Sequence, residues 1–297
     1  MGSPCAVTVI GGPARALALA AERAADLEQR WSRFRDSSEL SRLNASPGTA
    51  CRVSHDTFLL IDHGVAAHRL TSGRFDPTVL DILERSGYDR SFEHIGHRPA
   101  PERQLRPAPG CKGIELHAAN RTVTLPPGVR FDPGGLGKGL AADLIVEALL
   151  DVGVDGACVS MGGDVRVSGE APAGGWRIGI ANPTIEDDLL CAVLLVDQGL
   201  ATSNRLVRRW SMSGQERNHL VNPRTAAPCH DLLAASIIAG QTWWAEVLTK
   251  VAMVDFASTR LTISLLGGEG LFVDADQRVA ATAGFARFDA RNADLAR

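Results

Sequence analysis

The segment Phe131-Asp132-Pro133-Gly134-Gly135-Leu136-Gly137-Lys138-Gly139 limits what this chain can fold into more than any other. It joins a short apolar strand to an Ala/Leu-rich helix through a glycine-rich turn that carries one lysine. Glycines let main-chain N–H groups approach an anion, the following helix points the positive end of its dipole at it, and the lysine adds a full charge. Leu140, Ala141, Leu144, Ile145, Ala148 and Leu149 recur at helical spacing, so the turn opens a buried helix. Two phosphate loops are excluded. Lys138 is followed by Gly139 where a Walker loop has Ser or Thr, and the glycine spacing does not fit the dinucleotide fingerprint. Two readings stay open, an anion-holding turn and a strand-to-helix turn with no ligand.

Composition narrows the function class. A chain of 297 residues with 45% hydrophobic and 22% charged residues can bury a sizeable core, as one large domain over residues 1–297 or as two tightly joined lobes. A formal net charge of -3 without a basic run argues against nucleic acid as the main partner, and no apolar stretch approaches the length of a membrane span. No export signal is recognisable at the N-terminus. Cys5, Cys51, Cys111, Cys158, Cys191 and Cys229 are scattered with no CxxC pair, as in a reducing compartment, so a cytoplasmic location is expected.

Element order predicts an α+β fold with mixed or antiparallel sheets and packed helices. Ala6 to Ile10 alternates as a strand, and Ala20, Ala24, Leu27, Trp31 and Phe34 mark one face of a long helix. Ser54 is the expected N-cap and Gly73 the expected stop of a second helix. Short strands are predicted at Gly113–Leu116 and Thr122–Leu125, then at Ala157–Met161, Trp176–Ile180, Cys191–Val196, Leu200–Ser203 and His219–Val221. A helix around Trp243–Val254 precedes a hairpin-like pair, Leu261–Leu266 and Leu271–Val273.

Several polar clusters each have a bland reading. Ser32–Asn44 reads as a helix end, a capped turn and a short helix. Gly73–Val79 reads as a turn in which Asp76 bonds local N–H groups, and Met161-Gly162-Gly163-Asp164 as a strand ending where something approaches closely. His219 and Arg224 flank the strand-to-turn segment Asn218–Thr225, and a lone histidine is more often structural than catalytic.

Taken together and in this order, these segments resemble the ApbE family of FAD:protein FMN transferases. The resemblance runs from Met1-Gly2-Ser3 through Ser32–Asn44, Phe75–Val79, Asp132–Asp143, Val159–Asp164, Thr202-Ser203 and His219–Pro228 to Ala245–Val251. It implies a single ApbE-like (T-fold-like) domain and a magnesium-dependent enzyme. Such an enzyme cleaves FAD, releases AMP and attaches FMN through a phosphodiester bond to a Thr or Ser hydroxyl of a partner flavoprotein. By resemblance Asp132 and Lys138 contact FAD, Phe34 stacks on the isoalloxazine and Met1 borders the same ring. Arg74, Phe75 and Asp76 line the cofactor cleft, and His219 assists deprotonation of the acceptor hydroxyl. Gly135 through its carbonyl, Glu246 and Thr249 are the implied magnesium ligands.

The chain departs from the family pattern at the metal. Similar proteins carry Asp where Glu246 stands and Thr or Ser where Lys250 stands. A lysine cannot ligate a cation. Either Lys250 turns away and magnesium binds together with FAD, which is the expectation, or its ammonium takes the metal's place. Asn222 and Asn204 also replace an Asp and a Gly. Two other classes remain alongside transfer, an FAD pyrophosphatase giving FMN and AMP, and a catalytically weak FAD-binding protein.

Overall fold

Small and branched apolar residues fill Leu232–Ala239, a strand buried along its whole length, and a seven-stranded sheet is built around it. In the computed structural model, which describes residues 3–95, 104–212 and 214–291, the strands of that sheet follow chain order in space. They are Cys5–Ile10, Gly156–Met161, Asp164–Gly169, Gly199–Asn204, Leu232–Ala239, Glu269–Asp274 and Val279–Ala281. Every neighbouring pair is antiparallel, so the sheet needs no crossover connections. Long stretches of chain leave this meander and return to it.

The chain divides into two units. One comprises Ala25–Gly137 and Val207–Cys229, the other Ser3–Ala24, Lys138–Leu206 and the segment from His230 onward. The second holds the large sheet. There the hairpin Trp176–Ala181 with Leu189–Leu195 lays Trp176, Ile180, Val193 and Leu195 on Val165, Val167, Leu200 and Ile238 to form a core. Helix Thr242–Val254 packs on strands Gly199–Asn204 and Leu232–Ala239. Two glycines permit its approach: a Cβ at Gly199 would lie 2.4 Å from the Thr242 nitrogen, and one at Gly139 2.5 Å from the Thr242 oxygen. Asp143, on helix Gly137–Asp151, accepts the N–H groups of Thr242 and Trp243 at 3.0 and 2.9 Å. A carboxylate on one helix thus caps the start of another.

The first unit is helical, with Glu39–Asn44, His55–Leu70 and Leu80–Arg85 beside the three-stranded sheet Cys51–Arg52, Thr122–Thr124, Glu115–His117. Ser54 caps its helix as expected, accepting the Thr57 N–H, and Glu39 in turn accepts from the Ser54 N–H and hydroxyl. The helix stops where Ser72 and Gly73 both turn left-handed, at φ 53° and 72°.

The structure corrects several element assignments. Phe34 lies past the end of helix Ala16–Trp31, in a turn. Leu261–Leu266 falls not in a strand but mostly in helix Phe256–Leu265, whose Leu261 and Leu265 are exposed, so the apolar run misled. Met161-Gly162-Gly163-Asp164 is a two-residue hairpin turn with both glycines at positive φ, joining Gly156–Met161 to the unforeseen strand Asp164–Gly169. His219–Val221 is not a strand; His219 follows Gln215–Asn218, which pairs with Arg209–Met212. Leu232–Ala239 was not foreseen at all. No helix among the described residues is long and apolar enough to cross a membrane.

Gly139→Ala should destabilise the protein by about 1–3 kcal/mol, because the added methyl meets backbone rather than a movable side chain. Denaturant unfolding of parent and variant checks this; equal midpoints would show that the helix contact is slack.

Candidate functional site

Lys138 leaves the first turn of helix Gly137–Asp151 and ends between two carboxylates. Its Nζ donates to Asp164 Oδ2 and, at 2.7 Å, to Glu246 Oε1. Each carboxylate has a second tether. Glu246 Oε2 accepts the Gly139 N–H at 2.8 Å, and Asp164 Oδ1 accepts the Thr202 N–H at 3.1 Å. Lys250, one helical turn after Glu246, brings a second ammonium to Oε1 at 3.3 Å. Thr249 Oγ1 donates to the Glu246 carbonyl and shares a hydrogen bond with Ser203 Oγ, both at 2.7 Å.

Two ammoniums and two carboxylates make this cluster formally neutral. Burial works against the Lys138 charge, yet Asp164 and Glu246 outweigh it and hold the ammonium well above its ordinary value. Burial opposes the Glu246 charge as well, but Lys138 and Lys250 hold that carboxylate below its ordinary value of 4.5. Burial pushes Asp164 up and Lys250 down. Magnesium seeks near-octahedral oxygen ligands. Here Glu246 Oε1 meets two ammoniums, Oε2 an amide, and Thr249 Oγ1 a serine, a carbonyl and Lys250 at 3.5 Å. The donor set does not fit a divalent cation, and Lys250 has not turned away.

In the other unit, Arg33 is the residue that sequence reading missed. Its Nε lies 3.2 Å from Asp132 Oδ1, and its guanidinium sits 4.4 Å from the Phe34 ring centroid and 4.5 Å from that of Tyr88. Arg33 also donates to the Tyr88 carbonyl at 3.0 Å. Asp132 Oδ2 accepts the Gly134 N–H at 3.0 Å, which fixes the start of the glycine turn. Phe34 is 39% exposed, beside a buried ion pair. Phe75 is buried, and a Cβ at Gly135 would lie 2.7 Å from its ring. Arg74 is half-buried. Met1 lies outside the described residues.

Asp76 makes the local bonds of a tight turn, its Oδ1 accepting the Thr78 N–H and hydroxyl at 2.8 and 2.6 Å. Its Oδ2 lies 3.6 Å from His68 Nε2, and His68, Asp76 and Cys111 bring one ligand atom each within 4.8 Å of the others. Burial, and then Asp76, push the Cys111 thiol up to about 12, so it is an inert neighbour rather than a nucleophile. His219 Nδ1 lies 3.3 Å from the Arg208 carbonyl. A carbonyl only accepts, so Nδ1 is the donor in that contact. Asn218 and Asn222 hold the following loop through the Leu220 and Arg224 N–H groups.

Comparison with known proteins agrees on one family. The family model described as the ApbE family matches residues 1–262. A Treponema pallidum protein named FAD:protein FMN transferase is 29% identical, over 84% of this chain and 74% of its own length. A Rhodobacter capsulatus protein of the same name is also 29% identical over 76% of this chain, which spans only 42% of that protein. Among solved structures, the ApbE protein of Thermotoga maritima superposes with a TM-score of 0.84 at 26% identity, covering 95% of this chain and 94% of its own.

Glu246→Gln tests the buried cluster. Because the folded carboxylate is held below 4.5, its stabilisation is complete above that pH and is lost as pH falls through the folded value. The variant should lose on the order of 3–5 kcal/mol at neutral pH, and its deficit should shrink below pH 4.5. Urea titrations across pH measure it; a deficit independent of pH would mean that charge is not what Glu246 contributes.

Proposed function

Because the chain belongs to the ApbE family, we propose that it is an FAD:protein FMN transferase, moving FMN from FAD to a hydroxyl of an acceptor flavoprotein. The match over residues 1–262 carries this reading, since it takes in Lys138, Asp164, His219, Glu246 and Lys250. The two buried ammoniums support it, being the groups a diphosphate requires.

The chemistry is displacement at phosphorus. The acceptor oxygen, from Thr or Ser, forms a bond to the FMN phosphorus as the bond from that phosphorus to the AMP phosphate oxygen breaks. AMP leaves with the electron pair, and FMN stays on the acceptor as a phosphodiester. The acceptor proton goes to the His219 imidazole, whose Nδ1 lies on the Arg208 carbonyl. Such a reaction depends on placing the reactants and neutralising charge more than on covalent catalysis. We assign the diphosphate to Lys138 and the flavin to Phe34, an aromatic side chain left 39% exposed. Asp132 fixes the arginine against that phenylalanine. Magnesium belongs to the family expectation, but the donor set here does not fit it and no step is assigned to it. The scattered cysteines, with no CxxC pair, support a reducing compartment.

Two variants test the reading. His219→Ala should lower FMN transfer roughly a hundred- to ten-thousand-fold while FAD still binds; mass spectrometry of a candidate acceptor reports the product, and a normal rate would return His219 to a structural role. Lys138→Ala should weaken FAD binding by about 1–3 kcal/mol, and an unchanged titration would move the diphosphate elsewhere. FMN and AMP formed without any acceptor would favour the pyrophosphatase reading.

A further inference from the structure

The oxygens around Glu246 already face cations of the chain itself. Lys250 Nζ lies 3.3 Å from Glu246 Oε1 and 3.5 Å from Thr249 Oγ1. Lys138 Nζ reaches the same Oε1 at 2.7 Å from another helix. Exposure is divided by sign. The two lysine side chains keep 20% and 17% of their surface, whereas Asp164 and Glu246 keep 1% and 0%. The carboxylates are sealed, and what surface these four side chains keep belongs to the lysines. A metal ion at Glu246 Oε1 would have to displace two ammoniums, whereas an anion there would find two sets of N–H donors.

The positions of the lysines are fixed by the fold. Lys250 stands on helix Thr242–Val254, whose Val247, Leu248 and Val251 are buried, and it follows Glu246 by four residues, the spacing at which side chains meet. Lys138 is hemmed in by the hairpin turn, for a Cβ at Gly162 would lie 3.3 Å from Lys138 Cδ. Two ammoniums carry the same total charge as one magnesium ion, spread over two points with three donors each.

We propose that this chain holds a nucleotide diphosphate with the Lys138 and Lys250 ammoniums and needs no divalent cation to do so. The inference rests on the FAD reading above and names the donors with which that site holds its substrate. The two ammoniums donate to diphosphate oxygens while Glu246 holds both of them and Asp164 holds Lys138. Lys250 thus occupies the space between Glu246 and Thr249 that a cation would need.

Calorimetric titration of the purified full chain with FAD, and with ADP as a plain diphosphate probe, in excess EDTA and again in millimolar magnesium, tests it. The parent should bind FAD within about two-fold in the two buffers, and Lys250→Thr should bind at least about ten-fold more weakly in EDTA and recover in magnesium. Mn2+, followed by its electron spin resonance, should bind Lys250→Thr and not the parent. If FAD binds the parent only with magnesium, or if the parent takes up Mn2+ at this site, the inference fails and the flavin reading stands. If FAD binds the parent in neither buffer, the flavin reading falls and the inference with it. Should Lys250→Thr not fold, the parent titrations and Lys250→Gln decide the matter, the latter losing affinity in EDTA as the threonine variant would.

Discussion

Glu246 is the group on which the Lys138 cluster depends. A carboxylate with no exposed surface cannot stay ionised alone, and it is matched by two ammoniums and one amide N–H. Those contacts bind helix Thr242–Val254 to the first turn of helix Gly137–Asp151, while Asp164 ties the same lysine to the hairpin turn of the sheet. Gly139 serves both demands at once. Its amide reaches Glu246, and its missing side chain lets the Thr242 backbone come close.

A second charged group is held in a different way. The Arg33 guanidinium is flanked by the rings of Phe34 and Tyr88 and paired with Asp132, both side chains of the ion pair being nearly buried. Arginine suits that place because its planar, weakly hydrated cation stacks on rings while its edge bonds a carboxylate. Trp210 extends the aromatic group, with its ring 5.6 Å from Tyr88 and its indole N–H on the Ser86 carbonyl. The cluster orients Phe34, which stays 39% exposed.

Much of the fold was legible because local rules agreed with the tertiary result. Ser54 capped its helix, the glycine turn opened Gly137–Asp151, and most of the strands lay within a residue or two of their expected places. Leu261–Leu266 is apolar enough for a strand, yet its exposed leucines lie on a helix, and Leu232–Ala239 carries no alternation because both faces of that strand are buried. Gly162-Gly163 looked like the end of a strand because glycine signals a break and does not say whether the chain turns back.

The sequence by itself determined the family, the α+β class and the identities of Lys138, Phe34, Asp132 and His219 as residues of interest, since these rest on motif order and local spacing. It left the role of Lys250 open. Only the tertiary structure decided that its ammonium lies on Glu246 and Thr249, and that Arg33 stacks on Phe34 and Tyr88. Lys138 and Glu246 are 108 residues apart in the chain, and no local rule reports which buried charges share an oxygen. That is settled by the packing of helices and sheet, where the cost of leaving an ion unpaired selects its partner.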